Sequence, residues 1–188
     1  MSGYGTNPQN GVKEAFHYRE RIYSDAMVAL TPFTQGEFEL YLQKGILRYA
    51  EENVKAGYWS ASEAMEKSRS EHAKLLPEGL ATPNQYLFSI REPVRDEQVG
   101  TIWLSADTES ATPSGFIYDL FIYEPFRRKG FATGAMLALE AKAGDLGLKV
   151  IYLHVFAHNP AARSLYEKLG YGTLSTNMAK PLRTGKPE

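Results

Sequence analysis

Three groups of residues in this 188-residue chain could do chemistry. The first is Arg127-Arg128-Lys129-Gly130-Phe131-Ala132, a basic turn that follows an apolar run and opens a helical pattern. The first turn of a helix leaves backbone N–H groups without partners, and its dipole adds partial positive charge, so a diphosphate can be held there. Gly130 lets the main chain approach such a ligand with no Cβ in the way. Gly130 and Gly134 have the wrong spacing for the G-x-G-x-x-G dinucleotide fingerprint, and no G-x-x-x-x-G-K-[ST] loop occurs. Arg128 and Lys129 alone would read as a solvated corner. An apolar strand, a basic turn, a glycine and a small-residue helix in succession favour an anion site.

The second group starts at Asn159-Pro160. Asn favours the helix N-cap and Pro is tolerated at the first helical position, so capping and ligand contact are equally open for Asn159, and its amide can do both. Ala162, Leu165, Tyr166 and Leu169 then share one helix face, which by itself makes Tyr166 a core tyrosine whose hydroxyl reaches the surface. The third is Asp119, the charged residue in the apolar run from Phe116 to Ile122, where a carboxylate is costly unless paired or functional. It either orients a cationic acceptor or makes a structural hydrogen bond. His154 and His158 are four apart, but His154 falls in a strand and no Glu intervenes, so no metal site is expected and His154 reads as a satisfied sheet residue. Tyr41, Tyr49, Tyr58 and Trp59 could line an acceptor pocket, although helix packing is the favoured reading.

These groups need elements to position them. Met27 to Leu30, ending at Thr31-Pro32, reads as a first strand. Thr34 with Glu37, and Ser60 with Glu63, have capping-box spacing and open two helices, the first with Phe38, Leu42, Ile46 and Tyr49 on one stripe. Gln85–Arg91 and Gln98–Ala106 read as a hairpin, Phe116–Ile122 and Val150–Phe156 as central strands, and Gly130–Gly144 and Pro160–Leu169 as helices. Gly172–Ala179 should end the sheet. A strand, a helix and a strand from Phe116 to Phe156 imply a parallel pair, and the whole order implies an α/β fold with helices on both faces of a mixed sheet.

The balance of Lys and Arg against Asp and Glu gives a net charge of -1, so no general attraction to nucleic acid or to an anionic membrane is expected. With no cysteine, disulfides and a cysteine nucleophile are excluded. No apolar run has the length of a membrane span and the first residues lack signal-peptide order, so a cytoplasmic protein is expected. Residues 1–26 have no clear period and read as an N-terminal extension to a single domain over 27–188.

Arg127, Gly130 and Ala132 match the signature of the GNAT acetyltransferase superfamily, and Asn159 to Tyr171 resembles its second block, N-x-x-A-x-x-L-Y-x-x-x-G-F, with Tyr171 in place of Phe. The resemblance implies a mixed, mostly antiparallel sheet that splays between a parallel pair. It implies acetyl-CoA as cosubstrate, with pantetheine along Phe121, Ile122 and Tyr123 and the diphosphate on the amides of Arg128 to Ala132. Arg127, Lys129, Gly130, Phe131 and Thr133 belong to the same binding turn, and Asn159 would hold the pantetheine arm. Tyr166 would give a proton to the departing thiolate. Some members carry a Glu base on the strand before the turn; counting back from Arg127, that position is Phe116. Strict alternation would turn Asp119 to the opposite face, so the base is not carried over. The expected reaction is acetylation of a primary amine on a small molecule or peptide, in a ternary complex. A non-catalytic acyl-CoA-binding module is the alternative, and a homodimer is compatible with the family.

Overall fold

The computed structural model describes residues 27–180. The expected extension at 1–26 and the last eight residues lie outside them. A five-stranded sheet runs in the order β1 (Ala29–Pro32), β2 (Gln85–Glu92), β3 (Glu97–Asp107), β4 (Ser114–Ile122) and β5 (Val150–Leu153). Pairing is antiparallel except between β4 and β5, which are parallel and joined through α3 (Phe131–Asp145). α1 (Gln35–Lys55) and α2 (Ala64–Leu75) precede β2, and α4 (Pro160–Lys168) follows β5.

Helices cover both faces. Ala135, Met136, Leu139 and Ala143 of α3 pack against Ile90, Ile102, Leu104, Ile117 and Ile122, and Tyr166 and Leu169 of α4 join that core. On the other face Phe38 and Tyr41 of α1 pack with Phe33, Leu76, Leu87 and Trp103. The buried positions of α1 are Phe38, Tyr41, Gly45, Ala50 and Asn53, with Leu42 and Ile46 of the expected stripe at their margin and Tyr49 exposed. α1 begins with a complete capping box at Thr34 and Glu37. The box expected at Ser60 forms by half: the Ser60 amide reaches Glu63, but its hydroxyl pairs with Ser62, and α2 starts only at Ala64. The two helices are tied by Ser68, whose hydroxyl donates to the Ile46 carbonyl at 2.7 Å; within α2, His72 Nδ1 lies 2.8 Å from the Ser68 carbonyl.

Three expectations fail at the C-terminal side. β5 is the edge strand of the sheet and not a central one. β5 ends at Leu153, so His154 lies beyond the strand, exposed, with its ring edge-on to Phe156 at 4.9 Å. Gly172–Ala179 forms no strand: it has no ladder partner, and Leu174 and Met178 are 82% and 93% exposed. Its sequence has strand-like residues but no neighbouring edge engages it, and a strand without a partner leaves its backbone groups to water.

Candidate acyl-transfer site

β4 is interrupted where the site lies. Phe116 stands opposite Ser105 and Asp119 opposite Trp103, so Tyr118 is an extra residue, a β-bulge. Ser105 and Trp103 are two apart on β3, so Phe116 and Asp119 face the same side. This corrects the alternation from sequence, which sent Asp119 the other way. Asp119 instead meets α1, where an Arg48 nitrogen lies 3.0 Å from Oδ2. The Arg48 guanidinium also stacks over Phe121, 3.9 Å from the ring centroid. Burial raises the Asp119 pKa, while Arg48, the Tyr41 hydroxyl and His72 pull it back. Tyr41 is buried beside it, and burial with the Asp119 charge keeps its phenol protonated.

β4 and β5 pair only from Ser114 opposite Val150 to Ile117 opposite Leu153, then part at the bulge. Beyond it, one edge of β4 is open. The Tyr123 amide donates to the Val99 carbonyl at 2.9 Å, and the Phe121 carbonyl points at Gly100, so these two residues turn their main chain toward β3. Alternation leaves Leu120 and Ile122 facing the opening. The open edge therefore runs through the main chain of Leu120 and the Ile122 amide, the Ile122 carbonyl being taken by Arg127, while the main chain of Phe121 and Tyr123 is engaged with β3. Gly100 is required here: a Cβ would sit 2.3 Å from the Phe121 oxygen.

A short 3-10 turn, Glu124–Phe126, carries the chain from β4 to the basic turn. Arg127 folds back, its Nε donating to the Ile122 carbonyl at 3.0 Å, so it fastens the turn to the strand. Arg128 and Gly130 have φ of 60° and 88°. Successive amides in such a conformation converge into an anion-binding concavity. Among the described residues, the N–H groups of Arg128 through Thr133 donate to no protein acceptor, and the first helical bond is Gly134 to the Gly130 carbonyl. Arg128, Lys129 and Thr133 are exposed, Lys129 lies 5.8 Å from the Phe126 ring, and Phe131 and Ala132 pack on the core.

The chain matches the model of the Acetyltransferase (GNAT) family over residues 39–171. It belongs to that family. An uncharacterized N-acetyltransferase of Bacillus subtilis, YycN, is 42% identical over 82% of this chain and 99% of its own. A second from the same organism, YdgE, is 37% identical over 81% and 97%. The crystal structure of YycN superposes with a TM-score of 0.80, covering 83% of this chain. This GNAT chain is thus an acyltransferase of the acetyl-transferring kind.

In the GNAT site, Asn159 caps α4, its Oδ1 accepting from the Ala162 amide at 3.1 Å, while its amide nitrogen has no partner among the described residues. Tyr166 packs on the core and on Tyr171, ring centroids 5.9 Å apart. Its hydroxyl has no hydrogen-bond partner among the described residues. Burial, with the Asp119 charge adding to it, pushes its pKa up to about 12. Sequence reading missed Arg48, although it follows Tyr41 by seven positions on the same helix face, and Glu52, which hydrogen-bonds His158 beyond β5. No described helix is long and apolar enough to cross a membrane, and the described residues contain no metal-binding cluster of three or more His, Cys, Asp or Glu.

Proposed function

We propose that this GNAT chain moves the acetyl group of acetyl-CoA to a primary amine of a small molecule or peptide, by direct attack with both substrates bound. One observation carries the reading. A run of free amides from Arg128 to Thr133, bent by two left-handed residues, adjoins the open edge of β4. The amides fit a diphosphate and the edge fits an amide-bearing arm. The acetyl thioester supplies the acyl group: the amine nitrogen bonds to its carbonyl carbon and the carbon–sulfur bond breaks.

The protein's own groups handle protons and position. Tyr166 holds its proton throughout the neutral range and can give it, or a hydrogen bond, to the leaving sulfur. Asp119, held by Arg48 on the acceptor side of the bulge, draws in the cationic amine. Either that carboxylate or water takes the amine's excess proton.

Two measurements test this. Acetyl-CoA should raise the melting temperature, since a ligand bound only by the folded state stabilises it. Free thiol should then appear on addition of an amine. Binding without thiol release for any amine would leave a non-catalytic acyl-CoA module, and no binding would remove the functional reading.

A further inference from the structure

One wall of the opening is built of rings. The bulge turns Tyr118 toward α1 and α2, where it lies 4.7 Å from Trp103 and 4.8 Å from Phe116. Tyr49 of α1 meets Trp59 edge-on at 5.3 Å and His72 at 5.9 Å, and His72 lies 6.1 Å from Trp103. Rings that served helix packing alone would be covered. Tyr118 and Tyr49 instead leave 41% and 39% of their surface to solvent. A second ring cluster stands where α1 ends. Tyr58 approaches Phe156 at 6.4 Å, Phe156 stacks on His158 at 5.2 Å, and His158 holds Glu52 of α1.

A carboxylate accompanies the rings: Asp119, paired with Arg48, keeps 26% of its side chain exposed. Exposed ring faces beside carboxylates attract an organic cation more than either does alone. A small polar amine would leave these rings wet, whereas a flat apolar body would cover them.

We propose that the acceptor is a small primary amine borne on an aromatic ring or similar flat apolar body, lying against Tyr118, Tyr49 and Trp59 with its nitrogen toward Asp119. This rests on the amine-acetylation reading above and names its substrate class.

Trp59 and Trp103 are the chain's two tryptophans; Trp59 lies in the wall and the buried Trp103 lies against Tyr118, so ligand binding can be read by fluorescence without turnover. With acetyl-CoA present, 2-phenylethylamine, n-butylamine and 2-phenylethanol are titrated in turn. Phenylethylamine should perturb the fluorescence and bind about tenfold or more tighter than either of the others. Tyr118→Leu and Trp59→Leu should each erase most of its advantage over butylamine, with acetyl-CoA affinity unchanged. Equal binding of phenylethylamine and butylamine, or an advantage that survives both substitutions, overturns the aromatic wall. Equal binding of phenylethanol overturns the role of the charge. Should no amine release thiol while phenylethylamine still binds selectively, the acetylation reading fails and the recognition stands. Should butylamine be acetylated as well as phenylethylamine, acetylation stands and this inference fails.

Discussion

Glu37 offers a quantitative test of how the acceptor-side helix is fixed to the sheet. Its carboxylate accepts from the Thr34 amide and hydroxyl, each at 2.8 Å, from the Ser89 hydroxyl at 2.8 Å and from Arg91 at 2.9 Å. Burial alone would raise its pKa, but these hydrogen bonds outweigh it and bring the group from its ordinary 4.5 to about 2. A drop of that size corresponds to about 3 kcal/mol, and solvent screening of the Arg91 charge reduces the expected effect to about 2 kcal/mol. The sign follows from the direction. A carboxyl depressed in the folded state stabilises above its unfolded pKa, and that contribution is lost as pH falls toward the folded value. Glu37→Gln should therefore be less stable than the wild type by about 2 kcal/mol near neutrality, with more than half of the gap gone by about pH 3. Urea unfolding of both proteins across this range measures it, and comparing the pair cancels every other titrating group. A gap of constant size from neutral to acid would refute the depressed carboxylate and with it the proposed tie between α1 and β2.

Tyr166→Phe should lower kcat about 100-fold with acetyl-CoA affinity little changed, and equal activity would remove the general-acid role. Because burial raises this phenol to about 12, the wild-type rate should show no decline from its ionisation below about pH 10, which a pH–rate profile checks. Gly130→Ala places a Cβ 2.9 Å from the Met27 sulfur on a residue at φ 88°, which should cost about 1 kcal/mol and weaken acetyl-CoA binding about tenfold by tilting the amides. A thermal-shift titration reads this, and unchanged affinity would dissociate the turn from the ligand. Gly100→Ala sets a Cβ against the Phe121 carbonyl, a backbone group that cannot swing aside, and should destabilise by about 3 kcal/mol or more in urea unfolding. Unchanged stability would mean that β3 and β4 do not approach so closely.

Much of this was legible because local chemistry decided it. Thr34 and Glu37 form the expected box, Ala135, Met136, Leu139 and Ala143 face inward as their spacing requires, and Asn159 caps α4. The basic turn was legible for the same reason: a helix start exposes amides whatever packs elsewhere. What failed depended on partners distant in sequence. Nothing in Gly172–Ala179 records whether an edge will receive it, and nothing near His154 records that β5 stops pairing at Leu153. The charge of Arg127 did not reveal its second task, the bond from its Nε to the Ile122 carbonyl five residues earlier. Leu120 went unnoticed because main-chain direction, which gives it a place on the open edge, leaves no trace in side-chain type.

The bulge at Tyr118 is the instructive case, since its cause does lie in the sequence. Ile117, Leu120 and Ile122 all pack toward α3. In an unbroken strand Ile117 would face opposite to the other two, so either it or the pair would point into the layer occupied by α1. Keeping Ile117 toward α3 would carry Asp119 into that core with it, away from Arg48, a placement that costs far more than one irregularity in a ladder, and keeping the pair there would turn Ile117 out of it. One inserted residue removes both conflicts and delivers Asp119 to Arg48. The parity was obscured because Phe116, Tyr118 and Phe121 are as apolar as the residues opposite them, so hydrophobicity alone could not distinguish the faces. The bulge also falls where β4 and β5 stop pairing. Bending of the bulged strand accounts for the splay, so the same residue that rescues the core opens the cleft and turns its own ring into the wall of it.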